Sequence, residues 1–360
     1  MHLKSLQLLN FKNHTNFCNE FSEKLNLITG PNGTGKTNLL DAIHFICNTK
    51  SAFISSDNLA IQHEQDFFRI EGHFNEDQKN IKVECVCQQL ERKLFLVDNK
   101  QQERLANYIG RFPVVLVSPY DTDIIREGSE IRRRYFDLIL CQSNQKYLEK
   151  LMSYNRLLKQ RNALLKQFSE SGKTNKSLLS VYDEQLLPLN NFISIERRNL
   201  VNHIFPLVIN CYKSLAGNAE EIQIGYESDC LTQNFNEKFL QNIQVDLSAQ
   251  RTTTGIHTDE YEFKFNQTSL KKFGSQGQQK TFILALKLAH FAYIDETKQI
   301  KPLLLLDDIF DRLDEKRVVN LANLIDQNTF GQVFITDSTP TRMTERFGNR
   351  TQEIAIFKTA

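Results

Sequence analysis

The feature that most restricts this chain is an eight-residue string, Gly30-Pro31-Asn32-Gly33-Thr34-Gly35-Lys36-Thr37, set between the apolar run KLNLI and the helix-like run TNLLDAIHFI. It satisfies G-x-x-x-x-G-K-[ST] in the strand, loop, helix context that gives the pattern its mechanism. Its glycines let backbone N–H groups wrap a phosphate, and the helix that follows adds its positive dipole end. Lys36 is placed to meet the β- and γ-phosphates of a nucleotide and Thr37 to ligate a metal. The chain is therefore expected to build an α/β core and to use ATP and Mg²⁺.

A partner acid is expected from LLLLDD, residues 303–308, whose unbroken hydrophobicity reads as a parallel strand buried on both faces. Asp307, at the end of an adjacent strand, is expected to hold the metal and Asp308 to orient water. Residues 274–280, Gly-Ser-Gln-Gly-Gln-Gln-Lys, open the apolar helix TFILALKLAHFAY, with Ser275 32 positions ahead of Asp307. A hydroxyl and free N–H groups at a helix start suit an anion, but the chain's own loop already cradles one nucleotide. Ser275 and Gly277 are thus expected to reach the γ-phosphate held by a second copy, which makes the homodimer ATP-dependent. This constellation resembles the signature motif of ABC ATPases, and Asp311-Arg312-Leu313-Asp314 resembles their D-loop, adding Asp314 to the nucleotide contacts.

The 360 residues exceed one small module. The first third alternates in period two over KSLQLLNF, FFRIEGHF, KVECVCQ and RKLFLVD, as strands do. From about residue 131 the period becomes helical: Tyr147, Leu151, Tyr154, Leu158, Leu165 and Phe168 form a seam of roughly 22 residues whose one gap holds Arg161. A second series runs from Leu179 to Leu207, where Pro188 and Pro206 are expected to kink or divide the helix. QVFITD repeats the buried-strand signature of LLLLDD. The expected architecture is an ABC-type P-loop ATPase head, residues 1–125 and 240–360, with a parallel sheet core and a β-rich N-terminal lobe, interrupted by a helical arm, residues 126–239.

The whole chain carries a net charge of +1, yet residues 131–213 hold 14 Lys and Arg against 6 Asp and Glu. That local excess suits contact with a phosphate backbone without base readout. Arg132, Arg133, Arg134, Lys159, Arg161, Arg197 and Arg198 are the candidate DNA contacts. The longest apolar runs are far shorter than the ~20 residues of a membrane span, so a cytoplasmic protein with no membrane partner is expected. Seven cysteines without zinc spacing read as buried free thiols.

Four stretches together resemble the RecF family, relatives of the SMC heads: LNLITGPNGTGKTNLLDAI, SPYDTDIIREGSEIRRRYFD, GIHTDEYEFKFN leading into GSQGQQKT, and PLLLLDDIFDRLD with QVFITD behind. The resemblance spans residues 1 to about 338. It implies an ATP-switched DNA-binding protein that dimerises on ATP, hydrolyses it slowly, and acts at gapped DNA with RecO and RecR to help place RecA. Where the family shows Ser-Pro-Glu-Asp this chain has Ser118-Pro119-Tyr120-Asp121, and Gly-Pro-His-Arg-Asp appears as Gly255-Ile256-His257-Thr258-Asp259. Asp337-Ser338 stands where transporter ATPases carry a switch histidine. A transporter subunit would need that histidine and a glutamine loop, and would have no use for a basic arm. A short SMC-like clamp would need far longer heptads.

Overall fold

The computed structural model describes residues 1–172, 174–217, 220–311, 314–327, 329–339 and 354–358, so Arg312 and Leu313 of the D-loop-like turn lie outside the described residues. The chain forms two compact units, one of residues 1–122, 210–218 and 276–360, the other of residues 123–209 and 219–275. Residues 240–275, expected with the head, instead belong to the second unit. The reason is strand pairing: Glu260–Phe265 runs antiparallel to Ile222–Glu227.

In the first unit, period-two patterning becomes an antiparallel sheet in the order His14–Glu20, His2–Phe11, Phe67–Glu76, Lys79–Gln88, Leu94–Val97, Lys100–Gln101. Alternation buries one face, with Leu6, Leu8, Phe68, Ile70, Val83 and Phe95 turned inward. A parallel sheet in the order Ile354–Lys358, Leu25–Thr29, Val333–Asp337, Leu303–Leu306, Val114–Val117 supplies the second layer. Each of the last four strands is buried throughout, as continuous apolar runs require. Helix Lys36–Asn48 lies between the layers, and Phe45 packs edge-on against Phe11 and Phe68 at 6.1 and 5.5 Å. The strand order corrects one expectation. Asp307 does not end a strand adjacent to the P-loop strand, because Val333–Asp337 lies between them.

The second unit is built on helices Ser129–Ser143, Gln145–Ser171 and the part of Lys176–Ala216 up to residue 209, with a three-stranded sheet. Asn144 caps the second helix by accepting from Tyr147 N at 3.0 Å. That helix has 27 residues instead of about 22, and the third runs as one helix of 41 with Pro188 and Pro206 inside it. Buried Leu186, Leu189 and Ile193 flank the first proline, and Ile204, Val208 and Tyr212 the second. Tertiary packing on both sides outweighs the missing N–H groups. Among the described residues no helix is long and apolar enough to cross a membrane. All seven cysteines are free; Cys47, Cys85, Cys87 and Cys230 are buried, whereas Cys18 is exposed.

Candidate nucleotide-binding site

Lys36 and Thr37 form the first turn of helix Lys36–Asn48. Gly35 before them has φ 102°, and a methyl group there would lie 2.6 Å from the Asn13 amide and 2.7 Å from His14 Nε2, so only glycine fits. The turn between the first two strands clamps the loop: His14 Nε2–H donates to the Gly35 carbonyl at 3.0 Å, and Asn38 Nδ2 donates to Asn13 Oδ1 at 2.8 Å. Burial lowers the His14 pKa, with the Gly35 bond opposing, and the neutral ring keeps a donor on the loop. The Lys36 ammonium is buried and donates to the carbonyls of Gly30 and Pro31 at 2.8 and 2.9 Å. Phosphate oxygens make stronger charge-assisted partners for an ammonium than these carbonyls.

Thr37 Oγ1 lies 2.9 and 3.0 Å from the two Asp307 carboxylate oxygens. Burial pushes the Asp307 carboxyl up to about 6; hydrogen bonds from Thr336 and Thr37 oppose the rise and the Asp308 charge adds to it. A buried carboxylate in that state gains from a cation. The donor set fits Mg²⁺, a hard ion that takes oxygen ligands and usually combines one or two protein groups with substrate phosphates. Among the described residues, no group of three His, Cys, Asp or Glu side chains is placed to hold a metal ion.

The strand between the P-loop strand and the Asp307 strand does the joining. Thr336 Oγ1 donates to Asp307 Oδ1 at 2.9 Å and accepts from Asp308 N at 2.9 Å. Asp308 has φ 45°, a left-handed conformation that Asp adopts more readily than most side chains. Sequence reasoning missed Thr336, although a polar residue inside the apolar QVFITD was a readable signal. It also missed His14 and Asn13, for which spacing offered none.

Lys36, Thr37, Asp307 and Asp308 are thus gathered in the first unit. Asp314 caps helix Glu315–Asp326 by accepting from Arg317 N at 2.9 Å, and a methyl group built on Gly277 would lie 3.6 Å from Arg317 Nη1. Ser275 is exposed immediately before helix Gln276–Lys298. Tyr120 is 65% exposed, its ring 5.9 Å from Phe53.

Three of the expected DNA contacts are corrected. Arg161 is 0% exposed, with Nε 2.7 Å from Asp183, Nη1 2.6 Å from Asp246 and 2.8 Å from Thr252 Oγ1. Arg197 is 2% exposed and bridges Asp137 at 2.9 Å and Asp259 at 2.7 Å while donating to the Ile256 carbonyl. Arg132, 8% exposed, pairs with Glu260 at 2.8 Å. The acids that neutralise them include Asp246, Asp259 and Glu260, all outside residues 131–213, so counting charge within that stretch overstated the excess. Arg133 is half-buried and donates to the Asp259 carbonyl at 2.7 Å; Arg134 is exposed and pairs with Glu130 at 2.5 Å. Lys159 and Arg198 are exposed.

The same network absorbs His257. Its Nε2–H donates to the Thr252 carbonyl at 2.9 Å, and its Nδ1 accepts from Tyr154 OH at 2.7 Å. Burial, first among the causes, lowers its pKa. Gly255, at φ 138°, lets Asn190 and Tyr154 approach the turn.

The chain that carries these features, a P-loop under an antiparallel lobe, a buried acid reached through an intervening strand, and the Ser-x-Gly helix start, is similar over its whole length to known proteins. The model of the RecF/RecN/SMC N-terminal domain matches residues 2–358. This chain belongs to the RecF family. It is 39% identical to the DNA replication and repair protein RecF of Cytophaga hutchinsonii over 99% of this chain and 94% of that one. Against the protein of the same name from Flavobacterium johnsoniae it is 36% identical over 99% of each. A solved structure of the recombination mediator protein RecF-ATPrS in the RecFOR pathway matches with TM-score 0.86 at 27% identity, over 100% of this chain and 96% of that one. An SMC head bound to a winged-helix domain of ScpA shares the fold, with TM-score 0.56 at 15% identity.

Proposed function

We propose that this chain binds ATP and Mg²⁺, closes into a homodimer on doing so, and engages gapped DNA in replication-linked repair. It acts there with RecO and RecR to help place RecA. The observation that carries the reading is the Thr37 hydroxyl set against both Asp307 oxygens, beside a buried lysine that donates to two loop carbonyls. In this reading Lys36 and the loop from Gly30 to Gly35, with Pro31, Asn32, Gly33 and Thr34, hold the phosphates. Thr37 and Asp307 hold the metal, Asp308 orients water, and Ser275, Gly277 and Asp314 meet the nucleotide of the second copy. Bound Mg²⁺ would neutralise charge developing between the β- and γ-phosphates. The names of the relatives and the ATP-bound state of a similar solved structure, RecF-ATP with TM-score 0.87 at 28% identity, support it.

Hydrolysis in this scheme is a slow timer, because the water-orienting acid is the short Asp308 and no histidine follows QVFIT. With Arg132, Arg161 and Arg197 set aside, the phosphate contacts fall to exposed cations such as Lys159 and Arg198, with Arg133 and Arg134 at the edge. The test is to titrate ATP and gapped, duplex and single-stranded DNA against the full chain and against Lys36→Met. ATP should tighten DNA binding of the wild type, and Lys36→Met should lose ATP affinity at least a hundredfold together with that tightening. DNA affinity indifferent to ATP in the wild type overturns the switch.

A further inference from the structure

The stretch Ser118-Pro119-Tyr120-Asp121 follows the edge strand of the parallel sheet, Val114–Val117. The carbonyls of Pro113 and Val117 accept from Leu303 N at 2.9 Å and from Asp307 N at 2.8 Å, so they face the neighbouring strand. Backbone groups alternate along a strand, which turns the Leu116 carbonyl toward the open edge of the sheet. There it accepts from Lys287 Nζ at 2.7 Å. Lys287 belongs to helix Gln276–Lys298, which the signature-like turn begins. Its buried ammonium also pairs with Asp121 Oδ1 at 2.7 Å, and Asp121 Oδ2 accepts from Ser118 N at 2.6 Å. Three consecutive residues are thereby fixed: Leu116 by the ammonium, Val117 by the Asp307 backbone, and Ser118 by the carboxylate that holds the ammonium.

A buried ammonium is a costly way to cover one edge carbonyl, since a hydroxyl or an amide would donate without the penalty of desolvating a charge. What the ion pair adds is reach. One side chain of the helix closes the strand edge and, through Asp121, the turn that follows. That turn flanks Asp307: Ser118 and Pro119 from the turn, Ile283 and Leu284 from the helix, and Asp307 itself line a cavity of about 30 Å³. The Asp307 carboxylate is met by Thr37 and Thr336, but on the cavity side close packing gives way to the backbone bond to Val117.

We infer that Lys287 and Asp121 are positioning residues for Asp307: the pair anchors the strand end to which the Asp307 backbone is bonded, and so sets where its carboxylate meets a metal. The inference rests on the proposed reading of Asp307 as the metal-holding acid. It gives Lys287 and Asp121 no contact with metal or nucleotide, and it gives a task to the acid that closes Ser118-Pro119-Tyr120-Asp121.

The experiment titrates ATP against the full chain at a series of Mg²⁺ concentrations and without metal, below the melting transition of each variant. Lys287→Met should raise the Mg²⁺ concentration for half-maximal ATP binding at least fivefold, with metal-free ATP affinity within about twofold of wild type. This variant leaves Asp121 without its cation and should melt at a lower temperature. Adding Asp121→Asn removes the stranded charge and keeps an acceptor for Ser118 N, so the double variant should recover at least half of the lost melting temperature. Its Mg²⁺ midpoint should stay raised all the same, which a purely structural ion pair would not produce. If Lys287→Met does not fold, the double variant, or Asp121→Asn by itself, carries the comparison. A midpoint within twofold of wild type in these variants overturns the inference. Asp307→Asn is the control: a midpoint that it leaves unmoved overturns the reading of Asp307 itself, and the inference with it.

Discussion

The nucleotide site and the helical unit treat buried charge in opposite ways. At the nucleotide site Lys36 is held by two carbonyls and Asp307 by two hydroxyls. These are neutral partners that a phosphate or a metal can outcompete. In the helical unit Arg161 and Arg197 are each held by two carboxylates, with further bonds to Thr252 and Ile256. No surface ligand can better that arrangement. The difference teaches that a charged residue is available for function only when its native partners are weaker than the ligand's. Burial alone does not distinguish the cases, since Lys36 and Arg197 are both buried.

The comparison breaks most visibly if the arm arginines prove dispensable. Arg197→Met should destabilise the protein by about 3–5 kcal/mol, the usual consequence of leaving a buried acid pair unmatched. Chemical denaturation should report that loss, and a change within about 0.5 kcal/mol, the range of ordinary surface substitutions, would return Arg197 to the candidate DNA contacts.

Next in size is Thr336→Val, which keeps the shape but removes a bond to Asp307 and the acceptor of Asp308 N. A buried N–H left without a partner costs about 1–3 kcal/mol. The Mg²⁺ concentration for half-maximal ATP binding should rise about tenfold, with a smaller change when metal is absent. An unmoved Mg²⁺ midpoint would show that the intervening strand only spaces the other two.

Smaller again is the double replacement Lys159→Ala with Arg198→Ala. Both side chains are exposed, so stability should hold, while the slope of DNA affinity against salt should flatten by about 0.9 for each duplex phosphate that the variant no longer neutralises. A slope unchanged within error would move the DNA surface off these helices.

The smallest effect sharpens the view of Arg132 as a structural residue. Burial raises the Glu260 pKa, but hydrogen bonds from Ser129 and Arg132, with the Arg132 charge, outweigh it and leave the group below its usual value. A depressed carboxylate contributes stability above its unfolded pKa and loses it as pH falls through the folded one. Arg132→Ala should therefore be less stable than wild type near neutrality, and the gap should close on acidification through the carboxylate range. A gap independent of pH would assign Arg132 a packing role only.

Much of the fold is legible in the chain itself, for identifiable reasons. Period-two alternation in FFRIEGHF and KVECVCQ reports a sheet with one buried face, and LLLLDD and QVFITD report strands covered on both. The phosphate loop is legible because its chemistry is local: Gly30 to Thr37 act through their own backbone and the helix they begin. Thr37 and Asp307 could be paired across 270 positions because each belongs to a motif of known partner chemistry.

What the sequence by itself determined, then, is the set of local commitments: which segments are strands, which begin helices, and which residues carry phosphate and metal chemistry. Only the tertiary structure decided which charges are spent. Arg161 fills a gap in the helical seam, yet Asp183 lies 22 positions away and Asp246 85. Nothing in their spacing announces that they meet. It likewise decided that Val333–Asp337 separates the P-loop strand from the Asp307 strand, making Thr336 their link. The physical reason is range. Backbone geometry and hydrophobic period act over a few residues and leave their mark in the order of the chain. Ion pairs and strand order are settled when distant segments pack, and the residues that satisfy them have in common only the place where they arrive.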